Sequence, residues 1–196
     1  MQPTTLSKSG FALALDCPRK LVYAANPAYV DAGQQNEFLA ALADGGHQVG
    51  ALGRLMHPQG IEITARAIDE QLEQTAALLE RESVTLFEPT ILVNNLLIRV
   101  DILVKHGDDV QLIEVKSKGF DPKRKSMHSK EKTRHPVDGG WRSYLYDVTF
   151  QTYVLRLARP QWRVTPYRGR LDFRAKSAGR NTVFFPSATN VVLASH

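Results

Sequence analysis

One cysteine, Cys17, is the only thiol in this 196-residue chain. Its solitude excludes an internal disulfide and any all-cysteine metal site. An iron–sulfur cluster held within this chain is excluded too, because each type needs several thiolates. Long apolar runs are also missing. None approaches the ~18–20 residues that cross a bilayer, so no membrane partner is expected. The opening stretch MQPTTLSKSGFALALDCPRK has a short apolar patch that Asp16, Cys17 and Pro18 soon break. It reads as no signal peptide, and the cytoplasm is the expected location. Internal repeats are absent. What is present is an ordinary globular composition, 43% hydrophobic and 23% charged. It suffices for a real core in a length that suits one domain.

The net charge of +5 is unevenly spread. DPKRKSMHSKEKTRHP, Asp121 to Pro136, holds six Lys or Arg against two acids, and Val154 to Arg180 holds eight against Asp172 alone. Such clustering suits a polyanion, nucleic acid being the commonest. A solvated basic loop and tail explain the same composition.

Thr5 to Ala25 reads as one helix or two, with Ser7 as a cap and a break at Pro18. Gln34 to Ala43 has helical spacing, and HQVGALGRLMHPQG resumes a short helix that Pro58 and Gly60 end. A brief strand at Ile61 to Ile63 precedes an amphipathic helix over Ala65 to Arg81, its face formed by Ile68, Leu72, Ala76 and Leu79. VTLFEPTILV, LLIRVDILVK and VQLIEVK then read as strands separated by turn-like NN and HGDD. Trp141 to Ala158 reads as a helix. Gln161 to His196 lacks clear periodicity.

The most informative stretch is RVDILVKHGDDVQLIEVKSK, Arg99 to Lys118. A turn centred on Gly107-Asp108, of two residues or four, sets Lys105 opposite Val110 and Asp101 opposite Glu114. Glu114 and Lys116 are two apart and share one side of their strand. The surrounding residues are apolar on both faces, as in the interior of a covered sheet. Directly opposed carboxylates sit ~5 Å apart and repel, and buried charge is costly unless paired or coordinated. A divalent cation between them resolves both problems. Few hard oxygen ligands, with water left on the ion, suit Mg²⁺ or Mn²⁺. An ammonium at Lys116 eases deprotonation of water and stabilises charge on a phosphorane-like transition state. The same residues also fit a hairpin whose solvent face carries a salt-bridging Asp, Glu and Lys.

The order Asp, hairpin, IEVK resembles the PD-(D/E)XK nuclease superfamily in its RecB-like branch. LSKSGFALALDCPRKLVY is similar to that branch's N-terminal helix, where a Cys-Pro pair precedes basic residues and an aromatic. GGHQVGALGRLMHPQG resembles the Gly-His-x-Val-Gly segment that supplies an upstream histidine. LFEPTI resembles the strand with a glutamate ahead of the metal aspartate, and YDVTFQTYVL the helix with the glutamine motif. The likeness spans about Leu6 to Ala158.

This resemblance implies an α/β fold with a restriction-endonuclease-like core, a central mixed β-sheet flanked by helices, over residues 1–160. Residues 161–196 are then a basic C-terminal tail or a truncated, divergent segment. Asp101, Glu114, the carbonyl of Val115 and His47 are the implied ligands of Mg²⁺ or Mn²⁺. Lys116 is the implied catalytic lysine, and Gln151 lies near the DNA end or orients that lysine. Beside Gly45-Gly46, His47 equally reads as a polar helix-end residue. Glu88 either assists the site through water or merely begins a strand. Lys118, Lys123, Arg124, Lys125, Lys130, Lys132 and Arg134 are placed to track DNA phosphates, in a segment whose composition also marks a mobile loop.

Two departures accompany the likeness. The glutamine motif usually has a tyrosine four residues on, where this chain has Leu155; Tyr153 is nearly opposite Gln151 on an ideal helix, as core or as an imperfect substitute. Cys17 matches a cluster-ligand position of some relatives but lacks the partner cysteines. The expected function is metal-dependent hydrolysis of DNA phosphodiester bonds, at single strands or ends, as in an exonuclease. The alternative is a nucleic-acid-binding module on a nuclease-like scaffold, weakly active or inactive.

Overall fold

The structure, a computed structural model, describes residues 5–29, 51, 53–116, 139–170 and 185–186. Leu6–Ser7 forms a short strand, β1, and the Ser7 hydroxyl then accepts a hydrogen bond from the Gly10 amide at 3.1 Å. That cap satisfies one of the orphan donors at the start of α1 (Lys8–Asp16). The expected break at Pro18 is observed, and α2 (Arg19–Ala24) follows. Residues 53–55 are helical, and turns through Pro58 end this piece as expected before β2 (Ile61–Glu62). Gln34 to Ala43 lies outside the described residues.

Helix α3 (Ile68–Leu79) forms within the expected span but turns a different face inward. Its buried residues are Gln71, Thr75 and Leu79, while Ile68 and Ala76 are exposed. Polar bonding decides the rotation. Gln71 Oε1 accepts hydrogen bonds from the Thr90 hydroxyl at 3.0 Å and from Arg99 at 2.7 Å, and Thr75 Oγ1 accepts one from the Thr90 amide at 3.1 Å. Once these groups are satisfied their burial carries little penalty.

Two of the runs read as single strands are each divided. VTLFEPTILV becomes β3 (Ser83–Phe87) and β4 (Thr90–Val93), and LLIRVDILVK becomes β5 (Leu96–Arg99) and β6 (Ile102–His106). Together they make one long antiparallel hairpin, bent midway. Asn94 and Asn95 close it with φ of 47° and 62°, the two positive angles of a type I′ turn. The pairing keeps one register across the bend. Ser83 faces His106 and Phe87 faces Ile102; beyond the bend Thr90 faces Arg99 and Val93 faces Leu96. No residue is inserted, so the bend needs no bulge. Pro89 lacks an amide and Glu88 takes a φ of 56°, and there the chain leaves one sheet for the other.

The result is mixed α/β with two mixed sheets flanked by helices, in place of the single central sheet expected. The smaller has the order β1-β5-β4; the larger runs β2-β3-β6 and continues through three further strands, β7 (Asp109–Lys116), β8 (Arg163–Arg170) and β9 (Phe185–Pro186), in that order. β7 (Asp109–Lys116) pairs antiparallel with β6, Lys105 facing Val110 and His106 facing Asp109, which is the register read from the two-residue turn. Gly107, at φ 57°, supplies the positive angle of that turn.

Helix α4 (Gly139–Ala158) appears where helical spacing placed it. Val148, Phe150, Val154 and Leu155 from this helix join Leu86, Leu103, Val110 and Leu112 in the main core. The opposite face of the larger sheet has a smaller cluster of Phe87, Ile102, Val104 and Ile113. Beyond α4 the chain does not leave the fold at residue 160. β8 (Arg163–Arg170) runs parallel to β7 over its whole length, and β9 (Phe185–Pro186) pairs with β8. Sheet pairing overrides the poor strand propensity of RVTPYRGR. Among the described residues no helix is long and apolar enough to cross a membrane.

Candidate active site

Asp101 stands at the bend, between β5 and β6, rather than inside a strand. Its carbonyl accepts the Glu88 amide at 3.2 Å, and the Val100 amide bonds the Pro89 carbonyl at 3.1 Å, so backbone pairing continues through the bend. The β6–β7 ladder ends at Ile102 facing Ile113, and one further step sets Asp101 opposite Glu114. There the side chain takes over. Asp101 Oδ2 accepts a hydrogen bond from the Val115 amide at 2.7 Å, which holds the carboxylate against the neighbouring strand. Asp101 shares its strand face with Leu103, and Glu114 shares its own with Leu112. Both leucines belong to the core under α4.

Glu114 is 1% exposed, among the most deeply buried side chains described. Two side chains converge on it, and a third backs them. Lys8 Nζ donates to Glu114 Oε1 at 3.0 Å, and Gln151 Nε2 donates to Oε2 at 2.8 Å. Asp147, one helical turn before Gln151, accepts from Gln151 Nε2 at 3.2 Å and lies 3.6 Å from Lys8 Nζ. Gln151 is fully buried, and its Oε1 accepts no hydrogen bond among the described residues.

The N-terminal segment is held firmly enough to aim Lys8. β1 lies parallel to β5, the Leu6 amide bonding the Asn95 carbonyl at 2.7 Å, and the cap at Ser7 makes Lys8 the first residue of α1. Phe11 stacks on Phe150 with centroids 4.5 Å apart, locking α1 to α4. Lys8 and Asp147 also line a cavity of about 580 Å³ between these helices, with Phe11, Leu15, Arg142 and Tyr146.

Glu88 lies near this group at the bend. Burial raises its carboxyl above the ordinary glutamate range, against Arg54, Arg99 and Lys8, which lower it; the charge of Glu114 adds to the rise. Arg54 spans Glu62 at 2.5 Å and Glu88 at 3.7 Å and sits over the Phe87 ring.

The fold thus brings Asp101, Glu114, Val115 and Gln151 together, with Glu88 at the margin. Lys116 ends β7 opposite Arg170, but its side chain lies outside the described residues. So do His47 and the lysines and arginines from Lys118 to Arg134. Tyr153 is 46% exposed and does not join the group, whereas Leu155 is core. Sequence reasoning missed Lys8 and Asp147. The signal was indirect: a buried glutamate demands a cation.

Two carboxylates and a backbone carbonyl are hard oxygen donors, a set that suits a Mg²⁺ keeping several waters. Among the described residues no group of three or more His, Cys, Asp or Glu is gathered to hold a metal ion. The chain matches no protein-family model, no curated protein and no solved structure.

Proposed function

We propose that this chain is a divalent-metal-dependent nuclease with a restriction-endonuclease-like core of the RecB-like type, acting on DNA single strands or ends. One observation carries the reading. Glu114 is an acid 1% exposed among Leu112, Ile113 and Val115, opposite Asp101 one register step beyond the Ile102–Ile113 pair, where a purely structural sheet would hold a hydrophobe. The bent hairpin supports it by delivering Asp101 to the edge of the core with its carboxylate fixed on the Val115 amide.

In this reading Asp101, Glu114 and the Val115 carbonyl hold Mg²⁺ or Mn²⁺. When bound, the cation acidifies water and neutralises charge on the phosphate. Gln151 fixes the Glu114 carboxylate, as partners of ligating groups do. Lys116 positions water for in-line attack, and the basic segment from Lys118 to Arg134 follows the phosphates.

Digestion of linear and circular DNA in Mg²⁺ or Mn²⁺ tests this. Cleavage is expected to disappear in Glu114→Gln and Lys116→Ala. Gln151→Leu is expected to lose the roughly 10–100-fold typical of removing a ligand's supporting partner. A second reading, a nucleic-acid-binding module without turnover, is favoured by the ammonium of Lys8, which satisfies Glu114 with no metal. DNA retarded in a gel and never degraded in Mn²⁺ decides for that reading.

A further inference from the structure

We propose that Lys8 is an exchangeable counter-ion that competes with the divalent cation for Glu114, so that the chain restrains its own metal affinity. The inference rests on the metal-dependent reading above. It begins from a charge problem. Glu114 needs a positive neighbour because it is buried, and Lys8 supplies one from across the fold at 3.0 Å. A metal ion at the Asp101–Glu114 pair would meet that ammonium as a like charge and as a rival for the Glu114 carboxylate.

The surroundings give Lys8 somewhere to go. Its side chain is 27% exposed while that of Glu114 is 2% exposed, so Lys8 is the mobile partner and Glu114 the fixed one. Asp147 Oδ1 already lies 3.6 Å from Nζ and is more exposed than Glu114. When the divalent ion arrives, the ammonium shifts toward Asp147 at the edge of the cavity between α1 and α4. It keeps an ionic partner there and turns toward solvent, where phosphate oxygens are natural acceptors. Gln151 Nε2, bonded to both carboxylates, holds the two stations at a fixed spacing through the exchange. Lys8 is therefore a positioning residue rather than a catalytic one.

The test is the affinity for Mn²⁺ alone, measured by calorimetry on the full chain without DNA. Lys8→Gln keeps a donor for Glu114 and removes the charge; Lys8→Met removes both. Both variants are expected to bind Mn²⁺ roughly tenfold more tightly than the parent, the factor that relieving about 1.4 kcal/mol of competition gives. Asp147→Asn is expected to weaken binding severalfold in the parent and to change nothing in Lys8→Gln, the signature of coupling through one ammonium. A merely structural lysine predicts the opposite sign, because a loosened site binds less well. If Lys8→Met unfolds without metal, its recovery by Mn²⁺ in thermal melts serves in place of calorimetry, and failure to recover counts against the proposal. Binding by the parent, loss in Glu114→Gln and equal or weaker binding in Lys8→Gln overturn the competition while leaving the metal site standing. No Mn²⁺ binding by any form overturns both.

Discussion

The two ends of the β6–β7 hairpin each carry an acid paired with a distant base, and the pairs differ in everything but chemistry. At the turn end, Arg163 grips Asp109 with two hydrogen bonds of 2.7 and 2.8 Å, yet each side chain is 66% exposed. At the open end, Lys8 meets Glu114 at 3.0 Å with the carboxylate almost wholly removed from water. The turn-end pair has the better geometry and the smaller consequence. Water solvates its partners equally well apart, and salt screens them. The open-end pair answers a desolvation penalty that would otherwise be unmet. Burial, rather than the shorter distance, marks where this chain commits its charge.

Lys8→Met should break the comparison most strongly. It strands the Glu114 carboxylate in the core, and a loss of about 3 kcal/mol is expected in metal-free denaturant titration. That is the low end for a broken buried pair, because Lys8 itself is partly wetted. Glu114→Gln should cost less, since the released ammonium can reach solvent. Gln151→Leu follows at about 1–3 kcal/mol, leaving Glu114 Oε2 without its donor. Glu88 sharpens the contrast through pH. Its folded carboxyl titrates above the ordinary value of 4.5, so the neutral form is favoured by folding. Stability is therefore fully supported below that value and declines as pH rises through the higher folded one. Glu88→Gln should flatten this limb of the pH–stability curve. Arg163→Ala should be the weakest change of all: the melting temperature is expected to stay within error, and any small shift to vanish in high salt.

The hairpin register was legible because Gly107-Asp108 leaves few ways to fold back two apolar runs, and the opposition of Asp101 and Glu114 followed from it. The bend was harder to see. The second arm keeps its alternation through Ile98, Val100 and Ile102, so hydrophobicity there gives no sign that the chain changes sheets. Pro89 was the only local clue. Helix α3 was misoriented because pattern reading counts apolar residues, whereas Gln71 and Thr75 are drawn inward by Thr90 and Arg99. Burial of Glu114 called for a cation, but nothing singled out Lys8. It meets Glu114 across 106 positions, and no local pattern encodes so long a reach. β8 escaped notice because its buried Val164, with Trp162 just before it, stands among arginines and Pro166, and only the parallel neighbour makes it a strand.

That last strand bears on how the chain can be handled. A fragment ending at Ala158 would strip β7 of its outer neighbour, leaving one edge of the eight-residue strand DVQLIEVK unpaired. An uncovered edge of that length invites the same segment of another copy to dock against it. Shortened versions should therefore come out of bacteria as sediment, and one reaching Arg170 should stay dispersed.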